Sequence, residues 1–152
     1  MSGILFVCTG NLCRSPMAAG LLRQRLAREA LDSRYEVASA GVWAVDGRPA
    51  SPDAVAVMAE RGIDLCDHVA RTVTADDVAA ADLVLVMARE HAQMLLNTWP
   101  QYDYKVHRLS EMAGKRQDIE DPYGGPIEAY RRCADTIASY IEEGFRRILD
   151  LA

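Results

Sequence analysis

The chain has 152 residues, 50% hydrophobic and 26% charged, with a net charge of −5. That is enough for one domain with a substantial core, and its acidic balance argues against nucleic acid as a partner. No apolar run approaches the roughly 20 residues that span a bilayer, so no membrane partner is expected.

Gly3 to Val7 (GILFV) reads as a short buried strand. Ala18, Leu22, Leu26 and Ala30 then recur every four residues with Leu21 beside them, one face of a helix with Ser15 as N-cap and Pro16 as its first residue. Tyr35 to Ala38 is a second strand and residues 39–50 a loop. Ser51-Pro52 caps a helix that Gly62 ends, and TADD from Thr74 is a capping box opening a shorter one. Leu83 to Met87 (LVLVM) is a buried strand, followed by a helix from Arg89 to Asn97. Lys105 to Arg108 is a fourth strand, and a polar loop runs from Ser110 to Gly125. Ile127, Tyr130, Ala134, Ile137, Ile141, Phe145 and Ile148 mark a long amphipathic last helix. Strands alternating with helices predict an α/β fold, a mostly parallel sheet covered on both faces. Without repeats or linkers, residues 1–152 are read as a single domain.

In open sheets of this kind, sites lie beyond the carboxyl ends of the strands. The loop after the first strand, Cys8 to Ser15 within VCTGNLCRSP, stands there. Gly10 and Asn11 tolerate left-handed backbone angles, so the loop can curl its N–H groups inward as an anion nest. The following helix aims its positive end at the same place, and Arg14 adds a planar fork matched to two phosphate oxygens. The same groups favour a thiolate at Cys8 and make it a nucleophile, with Ser15 placed to donate to its sulfur. The alternative is a buried cysteine in a strand-end turn beside an exposed arginine.

The other cysteines are Cys13, Cys66 and Cys133. No C-x-x-C occurs, and His68, His91 and His107 complete no zinc-ligand spacing, so no metal is expected. The opening MSGILFV lacks the basic region and cleavage site of a signal peptide, so a cytoplasmic location without structural disulfides is expected. Cys66 and Cys133 are read as core.

VCTGNLCRSP resembles the V-C-x-G-N-x-C-R-S-P signature of the low-molecular-weight protein tyrosine phosphatases. SAG at 39–41, HVAR at 68–71, ADLVLVM at 81–87 and DPYGG at 121–125 match in the same order, so the resemblance covers the whole chain. It implies a flavodoxin-like four-stranded parallel sheet and a metal-independent, cofactor-free hydrolysis of phosphotyrosine through a phosphocysteine. Cys8 is then the nucleophile, Arg14 the phosphate and transition-state ligand, and Asp121 the general acid and base. Thr9, Gly10, Asn11, Leu12, Cys13 and Ser15 would bind the phosphate, and Tyr123 would stack on the substrate ring from the rim. Asn11, Ser15, Ser39 and His68 match the polar network that holds the loop. Cys13 would trap an oxidised Cys8 as a disulfide, its alternative being a small buried filler. The 42–48 loop would form the opposite wall, with Trp43 either there or packed on the flank. The implied partner is a phosphotyrosine-bearing protein, such as a bacterial tyrosine kinase, met by a monomer.

Three rival functions share this loop. Arsenate reductase needs a cysteine relay, and residues 80–97 contain no cysteine. Protein-arginine phosphatases resemble the chain in CTGN and DPYGG, but carry threonine at the position of Leu12 and favour phenylalanine at that of Tyr123. A non-catalytic phosphotyrosine-binding module would need neither Cys8 nor Asp121.

Overall fold

Side chains of a strand alternate between the two faces of its sheet, and in β1 (Ser2–Cys8) both faces are apolar. Ile4, Phe6 and Cys8 enter the larger core, together with residues of α1 (Arg14–Arg28), α2 (Pro52–Glu60), α5 (Leu109–Met112) and α6 (Ile127–Leu151). Leu5 and Val7 enter a smaller core with Val78 of α3 (Ala75–Ala80) and Leu95 of α4 (Arg89–Thr98). β3 (Leu83–Val86) divides in the same way, Leu83 and Leu85 against Val84 and Val86. The sheet is therefore covered on both faces, as the alternation of elements predicts.

The computed structural model describes residues 1–152. β2 (Tyr35–Gly41), β1, β3 and β4 (Val106–Arg108) form one four-stranded sheet in that order, every pair parallel. From β1 the chain crosses to β2 on one side and later to β3 on the other. The loop after Cys8 thus leaves the sheet where the strand order reverses, the position at which such sheets bind ligands.

Several boundaries differ from the sequence reading. α1 begins at Arg14 with Cys13 as its N-cap, so Ser15 and Pro16 lie inside the first turn. Ser15 cannot serve as cap because its hydroxyl is taken by Cys8 and Asn11. Ser51 does occupy the N-cap of α2, but its side chain bonds Cys13 instead of its own helix. Thr74 and Asp77 form the expected capping box of α3. A 3-10 turn at Pro100–Lys105 and the short α5 occupy segments too brief to show a period. α5 lies so close to α6 that a Cβ on Gly144 would be 2.6 Å from Met112 Cβ. Cys66 is exposed, not core: Asp64 accepts its N–H in a turn that buries Leu65 and turns position 66 outward. No helix is long and apolar enough to cross a membrane.

Candidate active site

Asn11 sets the shape of the loop. It is fully buried with φ +57°, the left-handed region that asparagine tolerates better than most residues. Its Nδ2 donates to Ser15 Oγ at 2.8 Å and Ser39 Oγ at 3.0 Å, and its Oδ1 accepts the Arg71 N–H at 3.1 Å. His68 Nε2 lies 2.7 Å from the Asn11 carbonyl oxygen, which can only accept. Burial holds the His68 imidazole below its usual range, the bond to Asn11 opposing. Every polar atom of the Asn11 side chain is therefore satisfied, as a buried polar network requires.

Gly10, in contrast, has no positive φ, and a Cβ there would meet only the Leu12 side chain at ordinary distance. The left-handed freedom expected of it goes unused. The glycine the loop demands is Gly41, at the end of β2, where a Cβ would lie 2.4 Å from the Thr9 carbonyl oxygen and 3.0 Å from Asn11 N. Val42 N and Trp43 N then donate to the Cys8 and Thr9 carbonyls at 2.9 Å, tying strand to loop.

Cys8 is buried, with Ser15 Oγ 2.9 Å from its sulfur. Because Ser15 Oγ already accepts from Asn11, its own proton is free to donate, and Cys8 Sγ is nearer than the Ala40 oxygen at 3.4 Å. A hydrogen-bond donor thus faces the sulfur from behind. Arg14 is likewise buried: Nη1 donates to the Ile119 carbonyl at 2.8 Å and Nη2 to Thr9 Oγ1 at 3.3 Å, while Nε has no partner. A buried guanidinium with a spare donor is built for an anion.

One cavity joins these groups. It is lined by Cys8, Thr9, Gly10, Leu12, Cys13 and Arg14 from the loop, and by Arg48, Asp121 and Tyr123 from two others. Asn11 and Ser15 do not line it; they hold the loop from behind. Asp121 Oδ2 stands 3.5 Å from Arg14 Nη2, and its Oδ1 accepts the Tyr123 N–H at 3.1 Å, an Asx turn that fixes the acid at the mouth. Tyr123 is 56% exposed. Asp118 is occupied elsewhere, bonded to Arg89 N and Arg108, and these bonds hold its carboxyl below the usual range.

Cys13 lines the cavity as a buried free thiol, 3.2 Å from Ser51 Oγ and 3.8 Å from Tyr130 Oη. Burial raises its pKa. Cys133 is buried and pushed up to about 12, chiefly by the same cause. Trp43 neither lines the cavity nor packs on the flank, being 81% exposed; Arg48, at the far end of the same loop, reaches the cavity instead. The Ala70 N–H braces it, donating to the Arg48 carbonyl at 2.8 Å.

Two contributions escaped the sequence reading: Arg48 as the residue by which the 42–48 loop reaches the cavity, and His91 as the partner of Thr9. His91 is fully buried in the first turn of α4, its Nε2 2.9 Å from Thr9 Oγ1. Its only signal in the sequence was its place just beyond the end of β3.

The site holds a buried sulfur in one cavity with a buried guanidinium that has a donor to spare and a carboxyl group at the mouth, the parts needed for nucleophilic displacement at phosphorus with proton transfer. Residues 3–149 match the family model described as low molecular weight phosphotyrosine protein phosphatase. A probable low molecular weight protein-tyrosine-phosphatase, EpsP, of Ralstonia nicotianae is 41% identical over 145 residues, covering 95% of this chain and 94% of that one. A protein-arginine-phosphatase of Bacillus subtilis is 39% identical, covering 92% of each. The crystal structure of a low molecular weight protein tyrosine phosphatase from T. tengcongensis superposes with a TM-score of 0.91 at 41% identity, covering 97% of this chain and 99% of that one. The sheet described above is thus the flavodoxin-like one of these structures.

Proposed function

The chain belongs to the low molecular weight phosphotyrosine protein phosphatase family, and from that premise we propose that it hydrolyses phosphotyrosine in proteins through a phosphocysteine at Cys8. The observation that carries this reading is the meeting of two loops distant in sequence: Arg14, from the loop of Cys8, is drawn inward by the Ile119 carbonyl and lies 3.5 Å from the carboxylate of Asp121, in the cavity that Cys8 also lines.

The loop N–H groups and Arg14 hold the phosphoryl oxygens and stabilise the charge that grows on them in the transition state. Cys8 Sγ attacks phosphorus; the S–P bond forms as the P–O bond to the tyrosyl oxygen breaks, and Asp121 gives that oxygen its proton. Asp121, now a carboxylate, takes a proton from water as the water oxygen attacks phosphorus. The S–P bond breaks and the thiolate returns to the Ser15 hydroxyl. One water is consumed, and tyrosine and phosphate leave. Tyr123 supplies an aromatic wall for the substrate ring.

A second reading, phosphoarginine hydrolysis, is favoured by the similarity to the Bacillus subtilis enzyme. Against it stands Leu12, whose apolar side chain lines the cavity and suits a flat ring better than a guanidinium. Phosphate release from matched phosphotyrosine and phosphoarginine peptides, with Cys8→Ser as control, decides between them. Faster phosphotyrosine turnover that vanishes in Cys8→Ser supports the proposal. Preference for phosphoarginine would transfer the mechanism to the other substrate, and release unaffected by Cys8→Ser would refute the mechanism.

The natural substrate in this reading is a phosphotyrosine-bearing protein, a bacterial tyrosine kinase among the candidates, met in the cytoplasm by a single-domain monomer. Cys13, free and lining the same cavity as Cys8, is the proposed partner of an oxidised Cys8. Peroxide treatment followed by peptide mapping tests this: a Cys8–Cys13 disulfide is expected, and irreversible oxidation of Cys8 alone would contradict it.

A further inference from the structure

The hydrogen bonds around His91 leave its ring one tautomer. Nδ1 accepts the Ala88 N–H at 3.0 Å and so carries no proton. Burial, with the Arg14 charge as the second cause, pushes the imidazole down to about 4, against the opposing pull of Asp118 and Asp121. The neutral ring therefore keeps its one proton on Nε2, which points at Thr9 Oγ1, 2.9 Å away; Glu90 Oε1 is farther off, at 3.9 Å.

Thr9 Oγ1 thus accepts twice, from His91 Nε2 and from Arg14 Nη2. A hydroxyl has two acceptor positions and one proton. With both acceptor positions used, only the proton remains, and no protein group takes it. Thr9 lines the cavity beside Cys8 and Arg14.

We propose that the Thr9 hydroxyl donates a hydrogen bond to a phosphoryl oxygen of the substrate, and that His91 is the positioning residue that turns it to do so. This rests on the phosphatase reading above and adds to it a side-chain donor alongside the backbone cradle and Arg14. His91 moves no proton during the reaction. Its buried ring holds Thr9 Oγ1 as an acceptor, so that the hydroxyl is not free to rotate and accept from the phosphate's surroundings. The same contact steadies Arg14 Nη2 through the shared oxygen.

The test compares Thr9→Val, Thr9→Ser and His91→Phe with the wild type for phosphotyrosine-peptide turnover. Binding of orthovanadate, a mimic of the transferring phosphoryl group, is followed by calorimetry as a readout that needs no turnover. Losing one donor to a charged acceptor predicts a fall in kcat/KM of about tenfold to a hundredfold for Thr9→Val, with a parallel loss of vanadate affinity. Thr9→Ser, which keeps the hydroxyl, recovers most of that loss. His91→Phe falls in the same direction, and the double variant Thr9→Val/His91→Phe is no worse than the poorer single one, because both act through one hydrogen bond. Equal losses in Thr9→Val and Thr9→Ser, or no loss in either, would overturn the proposal, as would fully additive effects of the two sites. If His91→Phe does not fold, the two Thr9 variants decide alone. Turnover insensitive to Cys8→Ser would instead refute the phosphatase reading, leaving vanadate affinity to test Thr9.

Discussion

Acidification should destabilise this protein well above the range where carboxylates titrate, and His91 is the reason. In the unfolded chain an imidazole takes up its proton around pH 6.5; in the fold, burial postpones this to about 4. Between those values the unfolded state binds more protons than the folded one, so stability rises with pH and is lost as pH falls. The full span is worth about 3 kcal/mol, a large share of the 5–15 kcal/mol that typically holds a domain together. Urea unfolding from about pH 7.5 to about pH 4.5, for wild type and His91→Gln, isolates it, since His68 and the carboxylates titrate in both proteins. The wild-type curve should fall more steeply within the window, by a slope approaching about 1.4 kcal/mol per pH unit. Parallel curves would show that the His91 ring takes up its proton as readily in the fold as in the unfolded chain, and that burial does not hold it neutral.

Three further outcomes follow from local geometry. Gly41→Ala places a Cβ against the Thr9 carbonyl, backbone on backbone, so the loop must shift; a kcat loss of about a hundredfold is expected, and wild-type turnover would show the contact to be slack. Asp121→Asn should lower kcat on phosphotyrosine peptide about 100- to 10,000-fold and much less on an aryl phosphate with a good leaving group; equal losses on both would remove Asp121 from the acid's role. Ala30, just past the C-cap of α1, has φ +56°, is exposed and has its N–H already bonded to the Ala27 carbonyl, so Ala30→Gly should raise stability by about 1 kcal/mol in thermal or urea unfolding. A loss of stability there would mean that the unfolded chain's extra freedom outweighs the relieved strain.

The parts of the site legible in the sequence were those that chain neighbours specify. Cys8, Asn11, Arg14 and Ser15 share one strand–loop–helix unit; Asp121 and Tyr123, which the structure joins in one Asx turn, were reached only through the resemblance of DPYGG. The illegible parts depend on which distant backbone passes the loop. Gly10 looked like the required glycine because it lies within the loop, whereas the constraint falls on Gly41, a strand away, where the Thr9 carbonyl closes the space. Ser15 looked like a helix cap because capping is a local pattern, yet Cys8 and Asn11 claim its hydroxyl across the turn. His91 gave no signal beyond its place after β3, since a single histidine in a helix's first turn has many uses until the fold buries it against Thr9. Arg48 reaches the cavity because residues 69–70 brace its loop, a pairing with no local signature; the aromatic Trp43 drew attention and stays in solvent.

The central claim is that phosphorus passes through the sulfur of Cys8. Rapid quenching of the Asp121→Asn variant with an activated aryl phosphate, followed by intact-mass analysis and peptide mapping, tests it most directly, because that variant can still form the intermediate while lacking the base that hydrolyses it. The expected result is one phosphoryl group per chain, mapped to Cys8 and absent from Cys8→Ser. A phosphoryl group on any other residue, or turnover that persists in Cys8→Ser, would contradict the account.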